Sequence, residues 1–150
     1  MKYIIPFFVL FFLFSACTKK KQKEIAEDDE KTIQAYISSH NLTATRTDSG
    51  LYYVIDEVGT GEHPTSTSQV KVAYKGYQTD GTVFDESAAT GAVFGLQQVI
   101  EGWTEGIPYF KKGGSGLLLI PSALAYGPNG TQGIPGNTVL IFEVKLLDIY

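Results

Sequence analysis

Two segments of the chain change residue character with a period of two, and that pattern commits most of it to a sheet. In VKVAYKGY (70–77), Val70, Val72 and Tyr74 alternate with Lys71, Ala73 and Lys75. In TVLIFEVKLLDI (138–149), Leu140, Phe142, Val144 and Leu146 alternate with Ile141, Glu143, Lys145 and Leu147. Successive side chains of a strand point to opposite faces, so each segment presents one apolar face. LYYVIDEV (51–58), the pair Val83-Phe84 and the wholly apolar 117–120 supply further strands. GTGEHP (59–64) breaks the chain, and TDGT (79–82) reads as a hairpin turn because Asp-Gly suits positive φ. A loop follows through ESAATGA. Within this region QQVIEGWTEGIPYF (97–110) is the one helical candidate, with Trp103, Ile107 and Phe110 on one face at i, i+4 and i+7. Pro108 lacks a donor and disfavours α geometry at Ile107, so this helix should be short. The expectation is an α+β fold: a curved antiparallel sheet of about five strands wrapped around one short α-helix. No repeat or second domain is visible.

The N-terminal third is organised differently. Residues 1–16, MKYIIPFFVLFFLFSA, carry a Lys near the start, an apolar run from Tyr3 to Phe14, and then small residues. This is a secretory leader pattern; the run is too short for a spanning helix, which needs about 20 residues. FSAC (14–17) ends in the only cysteine, Cys17, so an internal disulfide is impossible. The stretch resembles the lipobox of bacterial lipoproteins, with Phe14 where Leu is usual, and implies lipidation of Cys17. A free thiol behind an ordinary signal peptide is the alternative. The basic run KKKQK (19–23) then reads as a tether next to anionic headgroups. From Glu24 to Ser39 the spacing of Ile33, Tyr36 and Ile37 predicts a helix, with Asn41 a plausible stop. EDDE (27–30) reads as a solvated face of it. The sequence leaves open whether this helix packs on the sheet or stands apart. The expected organisation is leader 1–16, lipidated Cys and N-terminal helix 17–43, and a folded domain 44–150, in a monomer facing the periplasm from the cell envelope.

Charge and inventory exclude several chemistries. A net charge of −4 lacks the clustered cations that nucleic acid needs. His40 and His63 have no ligand or triad partner at a meaningful spacing. No Gly-Lys dipeptide offers a P-loop lysine, and GGSG (113–116) is a turn. Asp85 and Glu86 are adjacent, so on a regular strand they point apart and read as a solvated rim. No metal or cofactor is implied. Activity must then come from shape and hydrogen bonding. The aromatic residues are the notable resource: the chain has nine Tyr, nine Phe and one Trp. Most are accounted for by a core. Trp103, flanked by Gly102 and Thr104, could be core or the floor of a site. Tyr126, in the glycine-rich AYGPNGTQGIPGN, fits a cleft edge better than a core.

Several ordered motifs now carry a resemblance: VAYKGYQTDGTVFDES (72–87), FGLQQVIEGWTEGI (94–107), KKGG (111–114), IPSALAYG (120–127) and GIPGNTVLIFEVKLL (133–147). Over about Leu51 to Ile149 the chain resembles the FKBP-type peptidyl-prolyl cis–trans isomerases, which bind the macrolides tacrolimus and rapamycin. The resemblance implies a curved antiparallel sheet around one short helix. It also implies a site. Tyr74 matches the wall tyrosine; Phe84 and Asp85 match the Phe and Asp of the FD motif. Val99 and Ile100 match the pair entering the helix, Ile100 donating its backbone N–H to a substrate carbonyl. Trp103 matches the tryptophan under the proline ring, and Tyr126 the tyrosine that hydrogen-bonds a ligand carbonyl. Ile134 and Phe142 match the remaining apolar wall. For Phe84 and Asp85 to share a site, the strand must be irregular, so a bulge is expected near 84–87. Three positions depart from the family pattern: Ala92 where an aromatic is frequent, Gly136 where a second Pro is common, and Pro121-Ser122 in place of Ser-Pro or Pro-Pro.

The resemblance implies rotation of X–Pro bonds in proline-containing, partly folded envelope or secreted proteins. The alternatives from other classes are a non-catalytic FKBP-like chaperone or binding module held at the membrane, and a structural envelope lipoprotein with a vestigial pocket.

Overall fold

A computed structural model of the chain describes the backbone of residues 10–150 and the side chains from Thr18 onward. The expected leader and the lipidation of Cys17 therefore lie outside the residues described in full. Among the described residues, no helix is long and apolar enough to cross a membrane.

Helix α1 (Leu10–Ser39) precedes seven strands: β1 (Thr45–Arg46), β2 (Tyr52–Glu57), β3 (Gln69–Gln78), β4 (Val83–Glu86), β5 (Ala92–Gly95), β6 (Ser115–Ile120) and β7 (Leu140–Ile149). Helix α2 (Glu101–Gly106) lies between β5 and β6 and runs on into a 3₁₀ turn over Ile107–Tyr109. The strands form one antiparallel sheet in the order β1-β2-β6-β7-β3-β4. β4 and β5 share one edge of β3, β4 pairing with Lys75–Tyr77 and β5 with Gln69–Val72. The sheet thus has seven strands rather than about five. The two additions, β1 and β5, are edge pieces too short for alternation to show.

One face of the sheet meets α2. Trp103, Ile107 and Phe110 pack there with Leu118, Ile120, Leu140, Phe142, Val144 and Leu146. The α-helix ends before Pro108, as the missing donor requires, yet all three predicted face residues are buried. Two glycines let the helix lie close. A Cβ on Gly102 would sit 2.4 Å from Ile120 Cγ2, and one on Gly106 would sit 2.6 Å from Leu118 Cδ2.

The other face is covered by α1, which settles the question the sequence left open. Ile33 and Tyr36 pack with Tyr52, Val54, Leu119, Val139 and Ile141 in a second apolar layer. Leu118–Ile120 of β6 and Leu140–Phe142 of β7 are therefore buried on both faces, which is why 117–120 is wholly apolar and why Ile141 is not polar, while Glu143 and Lys145 further along β7 are exposed. The helix also begins earlier than Glu24, so Thr18–Lys23 is helix rather than tether. Lys20–Glu24 and Lys23–Glu27 pairs at i, i+4 support that extension.

EDDE is a solvated face only in its first half: Glu27 and Asp28 are exposed, whereas Asp29 and Glu30 are not. Asp29 is buried and accepts hydrogen bonds from the Ser122 backbone N–H and hydroxyl. Glu30 accepts from the Tyr52 hydroxyl at 2.5 Å, Arg46 Nε at 3.2 Å and Gln34 Nε2 at 3.3 Å. Two neighbouring carboxylates thus bind α1 to separate parts of the domain. Burial alone would raise the Glu30 pKa, but the bonds from Tyr52, Gln34 and Arg46 outweigh it and hold the group below its ordinary value. A depressed carboxylate pKa stabilises the fold above the unfolded value and loses that contribution as pH falls through the folded one.

Two outcomes follow for α1. Ile33→Ala should cost about 2–5 kcal/mol, the range for emptying a closed apolar site, read from chemical denaturation. Wild type should melt above Glu30→Gln at neutral pH, and the gap should begin to narrow as pH falls below the ordinary glutamate value of 4.5 and close only below the depressed folded value.

Candidate functional site

The aromatic side chains of the α2 face converge on Trp103. Its indole meets Tyr74 with ring centroids 5.1 Å apart, Phe94 at 5.3 Å and Phe142 at 5.4 Å, all edge-to-face. Phe84 stands edge-to-face against Phe142 at 5.5 Å. Such geometry sets ring edges against ring faces, which favours both surfaces electrostatically. Trp103 is 4% exposed, so it is a core residue by burial and still lines the cleft above it. Its indole N–H is buried without an acceptor, the only such side-chain group among the described residues.

The cleft is about 590 Å³ and gathers all nine residues expected from the sequence: Tyr74, Phe84, Asp85, Val99, Ile100, Trp103, Tyr126, Ile134 and Phe142. They arrive from β3, β4, α2 and its entry, two loops and β7. The expected bulge is present. Gly76 pairs with Asp85 but Tyr77 pairs with Val83, leaving Phe84 as the extra residue. That insertion breaks the alternation and lets Phe84 and Asp85 line the same cleft. Gly76 makes the space opposite: a Cβ there would lie 2.6 Å from Phe84 Cζ and 2.7 Å from Phe142 Cε1.

Polar groups are few and placed at the rim. The Tyr74 hydroxyl donates to Asp85 Oδ2 at 2.7 Å. Burial first, and then that carboxylate, push the Tyr74 pKa up to about 12, so the phenol stays protonated at neutral pH. Asp85 is exposed, as a rim residue should be, but it fixes a wall tyrosine as well. Ile100 caps α2 with extended φ and ψ, and its N–H meets no acceptor among the described residues. Tyr126 is 40% exposed on the loop before the 3₁₀ turn Gly127–Asn129.

Sequence reasoning missed four lining residues: Phe94, Gln98, Thr131 and Gln132. Phe94 was signalled by its place in β5 and in the FGLQQVIEGWTEGI motif; the three polar residues lie in irregular loops that no period marks. The departures at Ala92 and Gly136 also resolve. Ala92 pairs with Val72 on β5 and does not line the cleft. A Cβ at Gly136 would fall 2.0 Å from the Pro128 carbonyl, so this loop is packed for glycine there.

Size does not select this cleft. Two hollows of about 670 Å³ lie elsewhere, one on the opposite sheet face beside Tyr36 and His40, the other between α1 and the 121–128 loop. Neither carries a comparable aromatic floor. His40 stacks on Tyr36 and His63 bonds the Pro108 carbonyl, both structural contacts. Among the described residues no three His, Cys, Asp or Glu side chains gather as a metal site would need.

An antiparallel sheet packed on one short helix, with an aromatic cleft between them, defines an immunophilin-like fold. Residues 60–147 match the family profile described as FKBP-type peptidyl-prolyl cis-trans isomerase. Among curated proteins the chain is 43% identical over 136 residues to the FKBP-type peptidyl-prolyl cis-trans isomerase FkpA of Aeromonas hydrophila, covering 88% of this chain and 51% of that protein. It is 41% identical over 138 residues to FkpA of Escherichia coli strain K12, covering 90% and 51%. Among solved structures it superposes on FkpA from Escherichia coli with a TM-score of 0.74 at 39% identity, covering 90% of this chain and 65% of that one. A peptidyl-prolyl cis-trans isomerase from Pseudomonas syringae gives a TM-score of 0.71 at 30% identity, with 82% and 94% covered. The chain belongs to the FKBP-type peptidyl-prolyl cis-trans isomerase family. It spans about half the length of the curated relatives it matches.

Trp103 is the sole tryptophan, so its emission reports on the cleft directly. Adding a proline-containing peptide should shift or quench that emission, and Phe84→Ala should weaken the peptide's half-maximal effect, measured by fluorescence titration.

Proposed function

We propose that this protein catalyses cis–trans isomerisation of X–Pro peptide bonds in unfolded or partly folded chains. The observation that carries the reading is the convergence of nine family-matched residues, from six separate segments, on one apolar cleft floored by Trp103. The barrier to rotation is about 18–20 kcal/mol because twisting destroys amide resonance. No bond breaks, so no metal or cofactor is called for. A twisted amide is less charge-separated than a planar one. An apolar cleft therefore favours the twisted form over the ground state, and only such differential binding accelerates a reaction.

Trp103, Val99, Phe142 and Ile134 would hold the pyrrolidine ring. The Ile100 N–H, left without an acceptor, would take the substrate carbonyl on one side. The Tyr126 hydroxyl would take a carbonyl on the other. Asp85 would act through Tyr74, whose hydroxyl it already accepts. The same cleft is suited to macrolides such as tacrolimus and rapamycin, which present carbonyls and a proline-like ring.

The leader pattern of residues 1–16 and the FSAC stretch support secretion and lipidation at Cys17. We therefore place the protein in the cell envelope, tethered to a membrane and facing the periplasm, acting as a monomer on secreted or envelope proteins. Proline isomerisation takes tens of seconds uncatalysed, slow enough to limit folding there.

The purified protein should accelerate isomerisation of a proline peptide and refolding of a proline-limited protein. Tyr126→Phe, which removes one exposed donor, should lower kcat/KM about three- to tenfold. Trp103→Ala should abolish most activity; since it also empties the core, its folded state must be checked by circular dichroism. An inactive wild type that still binds proline peptides would instead mark a chaperone.

A further inference from the structure

Pro121-Ser122, the third departure from the family pattern, has a structural use. Ser122 begins a 3₁₀ turn, Ser122–Leu124, at the head of the segment that carries Tyr126. The first N–H of such a turn has no partner within it, and Pro121 supplies no side-chain cap. The missing acceptor comes from α1. Asp29 Oδ2 accepts the Ser122 N–H at 2.8 Å and the Ser122 hydroxyl at 2.6 Å. Both residues are nearly sealed from solvent, Asp29 at 5% and Ser122 at 1% exposed. A buried carboxylate is costly unless its lone pairs are used, so this contact must be well made for α1 to dock here. A proline at 122 would offer neither donor.

The contact is the near anchor of the Tyr126 segment. The far anchor is the bond from the Asn137 N–H to the Gly127 carbonyl, at 2.8 Å. Between them the Leu124 and Ala125 N–H groups bond back to Pro121 and Ser122. The Tyr126 hydroxyl itself meets no hydrogen-bond partner among the described residues, and the residue is 40% exposed. No hydrogen bond fixes the hydroxyl, so its aim depends on the loop backbone held between the two anchors.

We infer that Asp29 is a positioning residue for the cleft: through Ser122 it sets the loop that aims the Tyr126 hydroxyl, and so couples the N-terminal helix to catalysis. This rests on the isomerase reading above. It assigns α1 a role in the reaction although α1 contributes no residue to the cleft.

A double-mutant cycle tests it. In the wild-type background Asp29→Ala should lower kcat/KM by up to the three- to tenfold loss expected of Tyr126→Phe, because the loop that aims the hydroxyl loses its near anchor. In the Tyr126→Phe background the same change should cost less than about twofold, since residues acting through one another are not additive. Asp29→Asn, which keeps an acceptor, should recover most of the loss. An equal cost in both backgrounds, or no cost in either, overturns the inference. Should Asp29→Ala fail to fold, Ser122→Ala, which removes one of the two bonds, runs the same cycle. Amide exchange gives a readout independent of activity. Exchange over residues 123–127 should speed up in the Asp29 variant while β6 keeps its protection; unchanged exchange there also overturns the inference. An inactive wild type with faster loop exchange in the variant would remove the isomerase reading and leave the anchoring intact.

Discussion

The packing of one indole between a helix and a sheet organises this molecule. Trp103 reaches the sheet because Gly102 and Gly106 bring α2 within van der Waals range of Ile120 and Leu118. Without those glycines the helix would stand off, the ring would lose its edge-to-face partners, and the cleft would have no floor. The same burial that stabilises the core leaves Trp103 almost no free surface except what the cleft reaches. Core and candidate site are therefore one structure, and a substitution at this position changes both.

The sheet gains from being covered twice. α2 covers one face and α1 part of the other, so Leu118–Ile120 and Leu140–Phe142 are buried on both sides. The two layers are joined by polar contacts of different kinds. Glu30 gathers Tyr52, Arg46 and Gln34 near the sheet edge, partly in water, where ion pairs are worth little individually. Asp29 is sealed and grips a loop of the cleft. Neighbouring carboxylates on one helix thus do separate jobs, one holding the helix to the sheet and one linking it to the proposed catalytic loop.

Much of this was legible in the residues. Alternation in 70–77 and 138–149 marked the two longest strands, and Pro108 marked the end of α2. The bulge at Phe84 followed from requiring two adjacent residues in one site. All nine cleft residues came from ordered motifs, which local period alone could not have assembled from six segments. What stayed hidden was tertiary. EDDE looks like a solvated charge run because nothing local shows that Ser122, 93 residues away, will meet Asp29. The docking of α1 was written in Leu117, Leu119 and Ile141, apolar residues on what a one-sided sheet would have left to water. Their message is readable only once the sheet order is known. Phe94 and the short β5 fell below the length at which a period can be seen.

The proposed function depends on the cleft accelerating rotation rather than only holding proline. The most direct measurement is exchange spectroscopy by NMR on a short peptide with one X–Pro bond, in the presence of catalytic amounts of this protein. Exchange between the cis and trans proline signals should rise in proportion to protein concentration, and the bound peptide should show proton contacts from its proline ring to Trp103 and Phe142. A peptide that makes those contacts while its cis–trans exchange stays at the uncatalysed rate would contradict the catalytic reading.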